Sequence, residues 1–286
     1  MSMKGKKLWN KVVSFVLTMA MVFSVFVVAT PEEVKAASMS FEGKGKSSVT
    51  ISDMDSFDES GYYYMKANWI KFKASQTGYI TVKMTNASEV ENPEGYLTFC
   101  DSKKRALGKN REYWSTNYDH SVYYTRTYGV KKGKTYYFKV ESTAGVKVTA
   151  SVTKLSKGKN TSKKKAKTIS SGKKVKGVIV AGDKTADWYK IKVNGNQRVR
   201  LTYSAKTNGD DKYNGIKVTF YKSNGSMYKR NSYECVSVTK PSGGFEFYRE
   251  NAYGQQFGLT AGTYYVKVER YNKTSSGQYT LSWKAY

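Results

Sequence analysis

The sequence predicts an all-β chain: two tandem antiparallel, jelly-roll-like β-sandwiches behind an N-terminal signal-peptide helix. Three observations carry this. Gly262-Thr263-Tyr264-Tyr265-Val266-Lys267-Val268-Glu269 alternates strictly, so Tyr264, Val266 and Val268 share one face and Tyr265, Lys267 and Glu269 the other. That period of two, with a glycine closing the turn before it, is a half-buried strand. The stretch recurs as Thr135-Tyr136-Tyr137-Phe138-Lys139-Val140-Glu141, identical at six of seven positions to Thr263–Glu269. Third, the 286 residues include 25 Tyr and 24 Gly but 3 Pro, and Tyr, Val and Thr favour pleated strands separated by turns.

The repeat extends in order along the chain. Asn68-Trp69-Ile70-Lys71-Phe72-Lys73 matches Asp187-Trp188-Tyr189-Lys190-Ile191-Lys192, Leu97-Thr98-Phe99 matches Val218-Thr219-Phe220, and Thr149-Ala150-Ser151 matches Thr280-Leu281-Ser282. The offset grows steadily, from 119 at Asn68/Asp187 to 131 at Thr149/Thr280. Steady growth is what loop insertions in one copy of a duplicated domain produce; a solenoid would keep a short fixed period.

Residues 1–36 read as the targeting segment. Lys4, Lys6, Lys7 and Lys11 precede an uncharged run from Val12 to Thr30, and Val34-Lys35-Ala36 offers small residues at a signal-peptidase site. The run is also long enough to span a bilayer if it is not removed. Cleavage takes away five Lys and two Glu, so the net charge of +27 becomes +24. The remainder suits two domains of ordinary size, residues 37–154 and 168–286. Between them, 155–167 carries Lys157, Lys159, Lys163, Lys164, Lys165 and Lys167 without an acid, and reads as a solvated connection.

Strands are predicted around Val49–Ile51 and over Trp69–Ala74, Tyr79–Met84, Tyr96–Cys100, Ser121–Thr127, Thr135–Glu141 and Val146–Val152. In the second copy they fall at Lys174–Val180, Trp188–Val193, Arg198–Tyr203, Ile216–Tyr221, Glu234–Val238, Thr263–Glu269 and Gln278–Trp283. Alternation points Ile80, Val82 and Met84 inward in the first copy, and Tyr189, Ile191, Val193, Val199, Leu201 and Tyr203 inward in the second.

The second half resembles the bacterial pre-peptidase C-terminal domain. The residues that carry the resemblance are Asn160 and Ala166-Lys167-Thr168-Ile169 leading to Gly172 and Gly177, then Asp187-Trp188-Tyr189-Lys190-Ile191, Gly262 to Val268, and Gly277-Gln278-Tyr279-Thr280-Leu281. It covers about 160–286. The first half is a degenerate copy, with Asn68 in place of the Asp and no Gly-Gln-Tyr-Thr-Leu ending. The resemblance implies a β-sandwich in an accessory, non-catalytic role. More distantly it touches the collagen-binding domains of clostridial collagenases, which use calcium.

Catalytic signals are thin, and no catalytic residue is proposed. His120, the single histidine, lies in Asn117-Tyr118-Asp119-His120-Ser121, and adjacency in sequence does not build a triad. No phosphate loop, zinc spacing or nucleophile elbow is present. Carboxylates paired only in space, as in glycosidases, stay open. Asp210 and Asp211, or Asp53, Asp55 and Asp58, are weak calcium candidates, because a calcium site needs more oxygen ligands than these loops show. Cys100 and Cys235 fall one in each copy at non-equivalent positions, which favours two separate thiols over an interdomain disulfide.

The outward faces hold the stronger signal. Alternation exposes Trp69, Tyr137, Trp188, Lys190 and Tyr265, aromatic planes beside lysines of the kind that sugars and peptide backbones stack on. The plain alternative is that these rings only cover the sheet. A basic exported chain concentrates at anionic polymers. The expected function is therefore a secreted, non-catalytic protein that binds an anionic or neutral extracellular polysaccharide of the cell wall or environment. Neither a dedicated nucleic-acid role nor membrane attachment after cleavage is expected. A structural or protein-interaction module of a secreted enzyme system, and a hydrolase with an unrecognised carboxylate site, are the alternatives.

Overall fold

The computed structural model describes residues 37–39, 45–51, 55–57, 63–65, 67–89, 93–108, 111–115, 124–207, 215–224, 226–227, 233–236, 242–271 and 275–286. The targeting segment, His120 and the candidate calcium residues Asp210, Asp211, Asp53 and Asp58 lie outside them, as does the side chain of Asp55. Among the described residues no helix is long and apolar enough to cross a membrane.

Among the described residues, eighteen of the strands make two sandwiches of nine. The first comprises β1 (Ala37–Met39), β2 (Lys46–Ile51), β3 (Ala67–Lys73), β4 (Gly78–Asn86), β5 (Glu94–Cys100), β6 (Glu112–Ser115), β7 (Tyr124–Val130), β8 (Thr135–Ser142) and β9 (Val146–Lys154). The second comprises β10 (Lys167–Thr168), β11 (Lys174–Ile179), β12 (Asp187–Val193), β13 (Val199–Thr207), β14 (Ile216–Tyr221), β15 (Tyr233–Val236), β16 (Ser242–Phe247), β17 (Gly262–Arg270) and β18 (Gly277–Ala285). The sheets run β1-β3-β8-β5-β6 and β2-β9-β4-β7 in the first, β10-β12-β17-β14-β15 and β11-β18-β13-β16 in the second. Every strand of the second sandwich occupies the place of the strand nine before it, so the duplication read from the sequence holds strand for strand. Pairing is antiparallel except at the short edges, where β1 lies parallel to β3 and β10 parallel to β12.

Alternation builds each core. Ile80, Val82 and Met84 are fully buried, as are Ile191, Val199 and Leu201. In the first sandwich Phe72, Phe99, Tyr128, Tyr136 and Phe138 form one stack, with Phe99 and Tyr128 centroids 4.4 Å apart. In the second, Phe220 and Phe247 stack at 3.7 Å, with Tyr264 alongside. Burying such side chains stabilises by roughly 1.5–3 kcal/mol each.

The signature residues of the second copy meet inside this core. Tyr279 on β18 donates to Asp187 on β12 at 2.6 Å, and its oxygen lies 2.7 Å from the Tyr189 hydroxyl. Gly177 on β11 pairs with Tyr279, and a Cβ there would stand 2.2 Å from the ring, so the glycine makes room for the phenol. Asn160 bonds to both backbone groups of Trp188, and the Trp283 indole donates to Ile169 at 2.8 Å. The motif is thus a buried polar pin between the two sheets. In the first copy Asn68, Ile70 and Val148 stand at the corresponding places, Ile70 and Val148 are fully buried, and the pin is replaced by apolar packing.

Residues 155–167, expected to be solvated throughout, are docked at four points. Lys157 pairs with Asp183 at 2.8 Å, Asn160 and Ala166 are buried, and Lys163 opens a short 3-10 turn, Lys163–Lys165, with its ammonium over the Tyr265 ring. Burial of Asn160 costs little because its amide is satisfied by the Trp188 backbone.

Residues 36–286 form one compact unit. Gly129 on β7 bridges Val180 in parallel, and its amide donates to Ser276 at 2.6 Å. The Ala181 amide donates back to the Gly129 carbonyl, and Ala181 packs into the first core.

Candidate functional site

On the outward face of the β10-β12-β17-β14-β15 sheet, the register puts Trp188, Lys267 and Thr219 in one row and Lys190, Tyr265 and Tyr221 in the next. The rings of Trp188 and Tyr221 lean towards each other across β17, centroids 5.2 Å apart and tilted by 36°. Thr219, which ends the Trp188 row, is 1% exposed. The Lys267 ammonium is 2.6 Å from Glu269 and 5.7 Å from the Trp188 ring. Lys163 is held 4.6 Å over Tyr265.

The first sandwich repeats the grid. Trp69, Lys139 and Thr98 form one row; Lys71, Tyr137 and Cys100 form the next. Cys100 stands where the second copy has Tyr221, so Trp69 finds its aromatic partner in Tyr137, edge-on at 6.1 Å. Lys104 lies over both rings, 4.8 Å from Trp69 and 5.8 Å from Tyr137. Glu141 pairs with Lys139 and Arg111, and Arg111 stacks on Tyr96 at 3.9 Å.

All five residues singled out from the sequence lie on these faces, but only Lys190 is exposed. The rings of Trp69, Tyr137, Trp188 and Tyr265, expected to be exposed, are half-buried because they pack on one another and under lysines. The structure brings Trp69 and Tyr137 together. Trp188, Lys190 and Tyr265 occupy neighbouring rows, but the ring partner of Trp188 is Tyr221, which sequence reasoning did not select. Its signal was available, because Tyr221 follows Phe220 on an alternating strand and aligns with Cys100. Lys104 and Lys163 above the rings were also missed, since they arrive from a loop and a 3-10 turn, and they change the chemistry. The faces present ammonium groups resting on aromatic rings instead of bare planes. A cation–π contact contributes about 0.5–1 kcal/mol at an exposed site, weak enough for a ligand oxyanion or hydroxyl to draw the lysine away and open the ring.

Asp187 is no counterpart to such a face. Burial raises its carboxyl above the ordinary value, with the Tyr279 hydrogen bond offsetting part of the shift, and the group is sealed at 2% exposure. Cys100 is a free, buried thiol raised to about 11 by burial and then by Asp101, so it is protonated and unreactive at neutral pH. The side chain of Cys235 lies outside the described residues. Among the described residues no three His, Cys, Asp or Glu side chains are grouped to hold a metal ion.

The sequence matches no protein-family model and no curated protein. Among solved structures, the chain is similar to the pre-peptidase C-terminal domain of collagenase from Bacillus anthracis, at 18% identity and a TM-score of 0.29, over 46% of this chain and 100% of that one. It is similar to PliG, a periplasmic inhibitor of g-type lysozyme from Salmonella Typhimurium, at 14% identity and a TM-score of 0.23, over 42% of this chain and 100% of that one. A third similarity is to the M60 catalytic domain with the CBM51-1 and CBM51-2 domains of ZmpB from Clostridium perfringens. It runs at 7% identity and a TM-score of 0.24, over 87% of this chain and 38% of that one.

Proposed function

We propose that the chain is a secreted, non-catalytic protein that binds an extracellular polymer, a cell-envelope or environmental polysaccharide, through the two outward lysine–aromatic faces. The observation that supports it is the repetition. A duplicated core explains why inward residues match, but outward residues are free to diverge. Here the rows Trp69-Lys139-Thr98 and Trp188-Lys267-Thr219 are the same chemistry at the same register. Two such faces on one chain suit a repeating ligand, since the second contact is made at high effective concentration. The basic start of the chain and its uncharged run support export, and the excess of lysine supports attraction to acidic wall polymers.

The test is co-sedimentation of residues 37–286 with purified bacterial cell walls, chitin, cellulose and collagen fibrils, with soluble product measured in each supernatant. Sedimentation with walls or a glycan and no released product is expected. Released reducing sugar would instead establish a hydrolase.

One observation favours the protein-interaction alternative. Tyr253, 91% exposed, tips the hairpin formed by Arg249–Glu250 and Gln256–Phe257, with Asn251 bracing its backbone. Capture of one specific secreted protein, lost in Tyr253→Ala, with no glycan bound, would move the assignment there.

A further inference from the structure

Where the second sandwich meets the first, the turn Val180–Lys184 faces the loop after β5 and the turn into β8 across a cleft of about 410 Å³. Its charges do not balance. The two acids in the lining are engaged: Asp101 holds the Arg105 guanidinium at 2.7 Å and the Lys103 and Arg105 amides, and Asp183 holds Lys157 at 2.8 Å and the Thr185 amide. Lys131, Lys134 and Lys184 line the same cleft, exposed, and no acid among the described residues pairs with them. On the other side of the turn a second cleft, about 480 Å³, shares Lys131 and Asp183 and is lined by the hydroxyl residues Thr77, Ser156, Thr161 and Thr185.

We propose that these two neighbouring clefts are an anion-binding site for a phosphate or carboxylate carried on a polyhydroxylated chain, with Lys131, Lys134 and Lys184 as its counterions. Three like charges on a flat surface are screened individually by salt, whereas a concave wall of low dielectric focuses their field on whatever enters. The wall is preorganised. Gly129 and Val180 join the sandwiches through the backbone, Ala181 is seated in the first core, and Lys157 is locked to Asp183, so the lysines do not have to be gathered when the ligand arrives. The adjoining hydroxyl groups supply donors and acceptors for the uncharged part of the chain. The site is separate from the lysine–aromatic faces. Only the source of the anion, a wall or environmental polymer, rests on the function proposed above.

The test is isothermal titration of residues 37–286 with tripolyphosphate, trigalacturonate and neutral maltotriose. It compares wild type, the triple variant K131Q/K134Q/K184Q and a control triple, K83Q/K147Q/K206Q, that removes equal charge from exposed strand positions. One-to-one binding of tripolyphosphate, trigalacturonate or both is expected, weakened about tenfold or more in the cleft variant and within about twofold of wild type in the control. Preference for one anion identifies a phosphate or a uronate source. Equal weakening in both triples, equal binding of maltotriose, or no saturable binding of either anion would overturn the proposal. Binding kept in Trp69→Ala/Trp188→Ala would show that the cleft acts apart from the faces, so failure of one reading is distinguishable from failure of the other.

Discussion

Tyr279 on β18 reaches across the second core to Asp187 on β12, its hydroxyl 2.6 Å from the carboxylate Oδ2, while Oδ1 is buried without a hydrogen-bond partner among the described residues. Asp187 and Tyr279 are therefore a structural fastener with a half-satisfied acid. Tyr279→Phe takes away the one donor and should cost about 1–3 kcal/mol in a urea titration.

The same pair gives a pH dependence. Burial, the larger cause, puts the folded pKa of Asp187 above its unfolded value of about 3.9. The proton is held more tightly in the folded state. This contribution to stability is full below the unfolded pKa and is lost as pH rises through the folded one. Urea midpoints measured from pH 4 to 7 should fall less steeply in Asp187→Asn than in wild type. Parallel slopes would mean that Asp187 titrates normally.

The tryptophans separate face from core. Trp283 is 4% exposed and bonded to Ile169, so Trp283→Ala should cost about 3–5 kcal/mol. Trp188, half-buried against Tyr221, should cost about 1 kcal/mol, the scale of one aromatic pair. Equal losses in the two denaturation curves would make Trp188 a core residue and remove it from the binding face.

Alternation and the internal repeat made the cores, the outward rows and most strands legible, because a period of two needs only local chemistry. What failed to show was set by tertiary contact. Glu112–Ser115 is short, yet it buries Trp114 completely and holds Glu112 between Arg126 and the Tyr128 hydroxyl. Ser242–Phe247 follows Pro241 and contains Gly243 and Gly244, residue types that favour turns over strands, and no strand is expected there. It is an edge strand on β13 anchored by Phe245 and Phe247. The strand expected at Ser121–Thr127 is found at Tyr124–Val130, where Tyr128 and Val130 are core residues. Of the candidate face, the strand residues were readable and the loop lysines were not. The cleft between the sandwiches was invisible because it depends on how two domains dock.

Docking hinges on Gly129. A Cβ there would stand 2.1 Å from the Ile179 carbonyl oxygen, backbone that cannot yield cheaply. Gly129→Ala should cost about 1–3 kcal/mol at the seam and split the calorimetric melt into two transitions, one per sandwich. A single transition at the wild-type temperature would mean that the seam does not couple them.

Attraction by charge should fade with salt. The Debye length shrinks from about 10 Å at 0.1 M to about 3 Å at 1 M, so wall binding should weaken across that range. It should be indifferent to EDTA, because the proposed faces use no metal. Loss of binding in EDTA would bring calcium into the mechanism.

The central claim, that the repeated lysine–aromatic faces hold the polymer, is tested most directly by a depletion isotherm on purified cell walls. It compares wild type with Trp69→Ala/Trp188→Ala, each checked for an intact fold by circular dichroism. Each lost stacked ring should weaken binding by about 1–3 kcal/mol, so the double variant should bind at least about tenfold less tightly. An isotherm that superimposes on wild type, from a folded double variant, would contradict the account and leave the rings as cover for the sheets.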